Sequence, residues 1–177
     1  MQAVPRKCGK GQEADMEEKV SGLTYFDMAE NDYRYLEYDY RNHRVGNVFC
    51  YVSQNICERY LKHIIDVYVP DMDTSTALRT HSLRSLRNFM SRHIPDFQAD
   101  WNRVLLADGF YFSTRYPGND AFLAGETDVR DAWDAVLATR EAVLAYCRTH
   151  SLSGRPEDTA AYLDGLRESL EDEPELD

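Results

Sequence analysis

The chain has 177 residues, 43% of them hydrophobic, and a formal net charge of −11 at pH 7. That size gives one domain with a substantial core, and no apolar run approaches the roughly eighteen residues that a membrane span needs. The acidic balance opposes non-specific nucleic-acid binding, which depends on Lys and Arg neutralising phosphates, so any nucleotide or RNA site must be a local cationic pocket on an acidic body.

Residues 1–21 are polar, charged and without periodicity, which reads as a disordered leader, and they contain no apolar stretch of the kind a secretory signal carries. The first helix is expected from about Thr24, as its N-cap, to Arg41, with Tyr25, Ala29, Tyr33, Leu36 and Tyr40 on one face. A second runs from about Val45 to Val69 on the ladder Val48, Val52, Ile56, Tyr60 and Ile64, and Pro70 stops it. A third covers about Thr80 to His93 through Leu83, Leu86 and Met90, and Pro95 breaks it. A fourth spans about Asp96 to Phe112 and buries Phe97, Trp101, Val104 and Leu105.

Pro117 pushes Tyr116 out of the α region, so that helix should stop by Thr114, and Pro117-Gly118 suits a type II turn. A fifth helix, capped by Thr127 or Asp128, carries Val129, Trp133, Val136, Arg140, Val143 and Cys147 in a near-heptad rhythm. Pro156 can open a sixth, with Ala160, Leu163, Leu166 and Leu170 facing in, before an acidic tail at 172–177. No alternating pattern marks a strand. The expected fold is an all-α, up-down bundle of five to six helices, in a single domain over residues 22–171.

Cys8, Cys50, Cys57 and Cys147 show no paired short spacing, which points to reduced thiols and a cytoplasmic setting. Cys50 and Cys57 share a helical face without a second pair or clustered His, so they read as core thiols and imply no metal. No cofactor is implied either. The "DMDTST" loop has too few spaced carboxylates to hold calcium.

Three pieces in order carry a family resemblance: "YVSQNICERYLKHII" at 51–65, "THSLRSL" at 80–86 and "STRYPG" at 113–118. Together they resemble the HEPN family, the small helical domain named for higher eukaryotes and prokaryotes nucleotide-binding. The positions that match are Glu58, Lys62, His81, Leu83, Arg115, Tyr116 and Pro117. The resemblance implies a homodimer with a charged cleft at its interface, and a nucleotidyltransferase as partner protein in a toxin–antitoxin or defence-type system. It also implies a nucleotide or RNA ligand, with a subset of the family acting as metal-independent ribonucleases through an Arg and a following His. Members with the Arg-Tyr-Pro loop are instead associated with nucleotide binding.

Two sets of site residues follow. Arg87 and His93 fit the ribonuclease pattern in letters, with His93 as general acid or base and Arg87 holding phosphate charge. Six residues of helix place their side chains about 120° apart and about 9 Å along the axis, and a His at a helix C-terminus also serves simply as a favourable end charge. Arg115, with Tyr116 and His81, forms the ligand-binding set, presenting a planar fork of donors to a phosphate or carboxylate. The competing reading makes Arg115 a corner post that stacks on neighbouring rings and satisfies the carbonyls ending the fourth helix. Glu58 and Lys62, four residues apart, read as a solvated helix salt bridge.

Overall fold

The computed structural model describes residues 23–69 and 72–150. Within them the chain is all helical: α1 (Tyr25–Arg41), α2 (Asn47–Tyr68), α3 (Ser75–Arg79), α4 (Leu83–His93), α5 (Trp101–Val104), α6 (Phe110–Ser113) and α7 (Glu126–Thr149). A single 3-10 turn, Leu105–Ala107, follows α5 directly. The leader, the sixth helix and the acidic tail expected from the sequence lie outside the described residues.

The long helices α1, α2 and α7 form the body, with α2 packed between the other two. Thr24 caps α1 as expected: its hydroxyl accepts from the Asp27 amide while the Asp27 carboxylate accepts from the Thr24 amide at 2.6 Å. The apolar stripe of α1 is turned slightly from the expected one, burying Phe26, Ala29 and Leu36 and leaving Tyr25 half-buried. On α2, Ile56, Tyr60 and Ile64 are buried, but Val48 at the start of the expected ladder is exposed. Trp133 of α7 is buried and stacks on Tyr33 and Tyr40, with ring centroids 5.5 and 5.0 Å away.

Several boundaries move, each for a local reason. α2 begins at Asn47 because Gly46, at φ 151°, takes a backbone conformation that other residues avoid. The third expected helix starts at Leu83, where the Ser82 hydroxyl accepts from the Ser85 amide; the residues before it form the short α3 and an extended link. The fourth expected helix is broken into α5, the 3-10 turn and α6. The break falls at Gly109, which is left-handed at φ 105°, and the Asp108 carboxylate turns away to accept from the Leu83 amide at 2.8 Å. Thr127 and Asp128 lie inside the first turn of α7 rather than ahead of it, and Asp128 reaches back to the Gly125 amide.

The Pro117-Gly118 corner is not a type II turn. Gly118 lacks the positive φ that such a turn needs, and the chain reverses one step later, where the Ala121 amide donates to the Gly118 carbonyl. Asn47 pins the far side of this loop. Its amide nitrogen donates to the carbonyls of Thr114 and Phe122, and its side-chain oxygen accepts from the Ala124 amide.

Candidate functional site at the Arg115 corner

Gln54, Glu58 and Lys62 recur every fourth residue and form one polar line down an otherwise buried face of α2. All three are buried. Gln54 uses its whole amide: its nitrogen donates to the His81 carbonyl and to Glu58 Oε1, and its oxygen accepts from the amides of Gly109 and Tyr111 at 3.1 and 2.7 Å. One side chain thereby fixes α2, the link before α4 and the start of α6 in register. A buried amide with any of those bonds missing would carry an unmet desolvation cost, so the arrangement is strongly specified.

Glu58 sits below this knot with 3% of its side chain exposed. Its Oε2 accepts from Lys62 Nζ at 3.3 Å and lies 3.0 Å from His81 Nδ1. The Glu58–Lys62 pair is therefore not the solvated salt bridge expected from its spacing. Both members are buried, and the polar line they share with Gln54 is the sign in the sequence that could have said so.

His81 leads from this buried carboxylate to the surface. Its side chain is 41% exposed, and its ring lies flat on Tyr111, centroids 4.2 Å apart at 4°. With Nδ1 against Glu58, the imidazole is oriented by a carboxylate while its side chain stays part-exposed. Arg115 meets the same tyrosine. Its Nη1 donates to the Tyr111 hydroxyl at 2.8 Å, and its guanidinium carbon is 5.1, 5.5 and 5.8 Å from the rings of Tyr111, Tyr116 and Tyr51.

The helix-end carbonyls near Arg115 are served by other groups. Thr114 Oγ1 donates to the Phe110 carbonyl and Ser113 Oγ to that of Gly109, so the arginine is not needed there. Among the described residues, one of the five N–H groups of its guanidinium is used in a hydrogen bond. The result is a cation held in place by aromatic rings, with most of its donors unspent and its residue exposed. A surface cavity of about 540 Å³ opens between Phe112, Tyr116 and Phe122; Asp108 and Asp120 also line it, and Arg115 and His81 do not.

His81, Arg115 and Tyr116 thus come together, and Tyr111 and Gln54, which the sequence did not single out, are what join them. Arg87 and His93 do not join this group. Arg87 donates to the Asn88 side chain, and exposed His93 packs its ring 4.5 Å from Phe89. Cys50, Cys57 and Cys147 are core thiols, and burial pushes the first two up to about 12. Among the described residues no three His, Cys, Asp or Glu side chains are grouped to hold a metal ion, and no helix is long and apolar enough to cross a membrane.

No family model, no curated protein and no solved structure matches this chain.

Proposed function

We propose that this chain is a HEPN-like binding domain whose Arg115 corner takes the phosphate of a nucleotide. The observation that carries the reading is the state of Arg115: exposed, braced against three tyrosine rings, and, among the described residues, with one hydrogen bond made of the five it can donate. A planar fork of free donors fits a phosphate in bidentate fashion. His81 adds a second polar edge within the span of one tyrosine ring, and Phe112 and Tyr116 offer faces on which a base can stack. Glu58, Lys62, His81, Arg115 and Tyr116 are also five of the seven positions that carry the family resemblance, beside Leu83 and Pro117. Their convergence supports the resemblance as well as the site.

In the same reading the domain works as a homodimer beside a nucleotidyltransferase partner of a toxin–antitoxin or defence-type system. The apolar side chains left bare around the corner, Val48, Phe112, Tyr116 and Leu123 (the last 90% exposed), support a second protein surface there. Light scattering should then give about twice 20.5 kDa at micromolar concentration. Ribonuclease action by Arg87 and His93 has less support, since the two side chains turn to different neighbours.

The test is calorimetric titration of the full chain with ATP, ADP and AMP, in parallel with Arg115→Ala. Binding by the wild type and its loss in the variant is the expected result. A wild-type protein that takes none of the three at millimolar concentration would end the proposal.

A further inference from the structure

α4 stands out on an acidic molecule. Its eleven residues hold Arg84, Arg87, Arg92 and His93 and no Asp or Glu. Arg84 and Arg92 lie about 12 Å apart along the axis. Neutralisation of this stripe is slight. Arg84 meets Asp108 at 3.6 Å with two thirds of its side chain exposed, and Arg87 donates only to the neutral Asn88 amide. Arg92 is exposed and makes no ion pair among the described residues.

The chain leaves α7 beside the end of this helix. His150 Nε2 is 3.0 Å from Asp96 Oδ2, and the Tyr146 hydroxyl donates to the same carboxylate at 3.3 Å. Asp96 is three residues beyond the last residue of α4. From 151 onward the sequence carries nine acidic side chains against two arginines, and 157–172 alone hold Glu157, Asp158, Asp164, Glu168, Glu171 and Asp172. An acidic segment therefore starts within a few residues of a helix whose three arginines are only lightly neutralised among the described residues. It needs about eleven helical residues, or five extended ones, to run the length of α4. The tether raises the local concentration of the one for the other to roughly the millimolar range.

We propose that the outward face of α4 is the docking surface for the chain's own acidic segment 157–172, laid antiparallel to the helix with its carboxylates on Arg84, Arg87 and Arg92. Ion pairs of this exposed kind are individually weak and are screened by salt, which makes the contact reversible and salt-dependent.

The experiment uses the full chain with Cys8→Ser and Ser169→Cys, a nitroxide on the new thiol and isotope-labelled arginine side chains; the remaining cysteines are buried. At about 0.02 M ionic strength the Nε–Hε signals of Arg84, Arg87 and Arg92 should be broadened several-fold more than those of Arg41, Arg44 and Arg130, and the difference should vanish near about 0.5 M. Arg87→Glu with Arg92→Glu should abolish it, and adding Asp164→Arg, Glu168→Arg and Glu171→Arg should restore it. Equal broadening at the two arginine groups, or greater broadening at Arg41, Arg44 and Arg130, overturns the proposal. So does broadening that appears only when label and isotope are on different molecules, which would assign the face to a second copy's tail. Failure of the reversed pair to rescue overturns it as well.

Discussion

Two buried glutamates, Glu30 on α1 and Glu58 on α2, show how one residue type builds two different things. Glu30 is closed in. Arg140 donates to both its oxygens, at 2.8 and 2.9 Å, the Tyr60 hydroxyl supplies a further bond, and the Arg140 head is covered by the Tyr33 ring at 4.5 Å. Tyr60 is fully buried, and Arg140, 30% exposed, is held between Glu30 and the Tyr33 ring. Glu58 is equally buried, but one of its partners, His81, reaches the surface and shares a tyrosine with Arg115. The closed carboxylate ties α1 to α7 and serves stability. The open one aims a side chain that faces solvent, and only that arrangement can answer to a ligand.

The largest effect should come from the closed side. Glu30→Ala leaves the Arg140 guanidinium and the Tyr60 hydroxyl without their partner, and removing one member of a buried pair costs about 3–5 kcal/mol. Urea denaturation should show a midpoint lowered accordingly, while the molecules still folded keep whatever nucleotide affinity the wild type has. A loss below about 1 kcal/mol would mean that water reaches Glu30, and the two glutamates would then differ less than their packing implies.

Glu58→Gln comes next. Glutamine preserves the shape and the bond from Gln54 but removes the charge opposite Lys62 and the fixed acceptor for His81. Hydrogen bonds to a charged group contribute about 1.5–3 kcal/mol, so stability should fall by that order. Unlike Glu30→Ala, this substitution should also weaken nucleotide binding, because His81 loses its orientation. Equal affinity in the variant would reduce Glu58 to a second structural post.

The sequence made the closed side legible only in part. Periodicity found α1, α2, α4 and α7 and the burial of Leu83, Leu86, Met90 and Trp133, because long amphipathic stretches repeat their signal many times. It also placed Arg140 within an apolar rhythm without finding Glu30 as its partner, since residues 110 apart leave no local trace of pairing. The fracture of the fourth expected helix was harder still. Nothing in its apolar spacing distinguishes one helix from three short pieces; the deciding features are Gly109 and the long-range bond from Leu83 to Asp108. At the open site, Arg115, His81 and Tyr116 could be named beforehand, whereas Tyr111 joins them through ring stacking that sequence spacing does not encode.

A third buried polar group sharpens the comparison by having no hydrogen-bond partner among the described residues. His63 is buried against the Phe26 ring, and neither ring nitrogen is hydrogen-bonded. Burial lowers its pKa below the usual 6.5, against the pull of Asp27 and Asp66. The folded chain therefore resists a proton that the unfolded chain accepts, so stability is unaffected above about 6.5 and falls as the pH drops below it. The slope from this one group can reach about 1.4 kcal/mol per pH unit. His63→Phe should flatten urea midpoints between about pH 7 and pH 5 relative to wild type. Parallel profiles for the two proteins would show that His63 does not stay neutral.

The smallest effect on stability should come from the residue on which function rests most. Arg115 is exposed and its neighbouring carbonyls are satisfied without it, so Arg115→Lys should move the denaturation midpoint by no more than about 0.5 kcal/mol. Lysine keeps the charge but loses the flat fork, the stacking on Tyr51, Tyr111 and Tyr116, and the rigid direction those rings impose. For a bidentate phosphate contact, a loss of about 1.4 kcal/mol corresponds to a tenfold rise in Kd, which titration resolves easily. Affinity should therefore fall while stability holds, the reverse of the pattern at Glu30. If stability falls and affinity does not, Arg115 belongs with Arg140, as a cation whose work is to hold a corner together. The open carboxylate at Glu58 would then orient His81 toward a ligand that does not use the arginine.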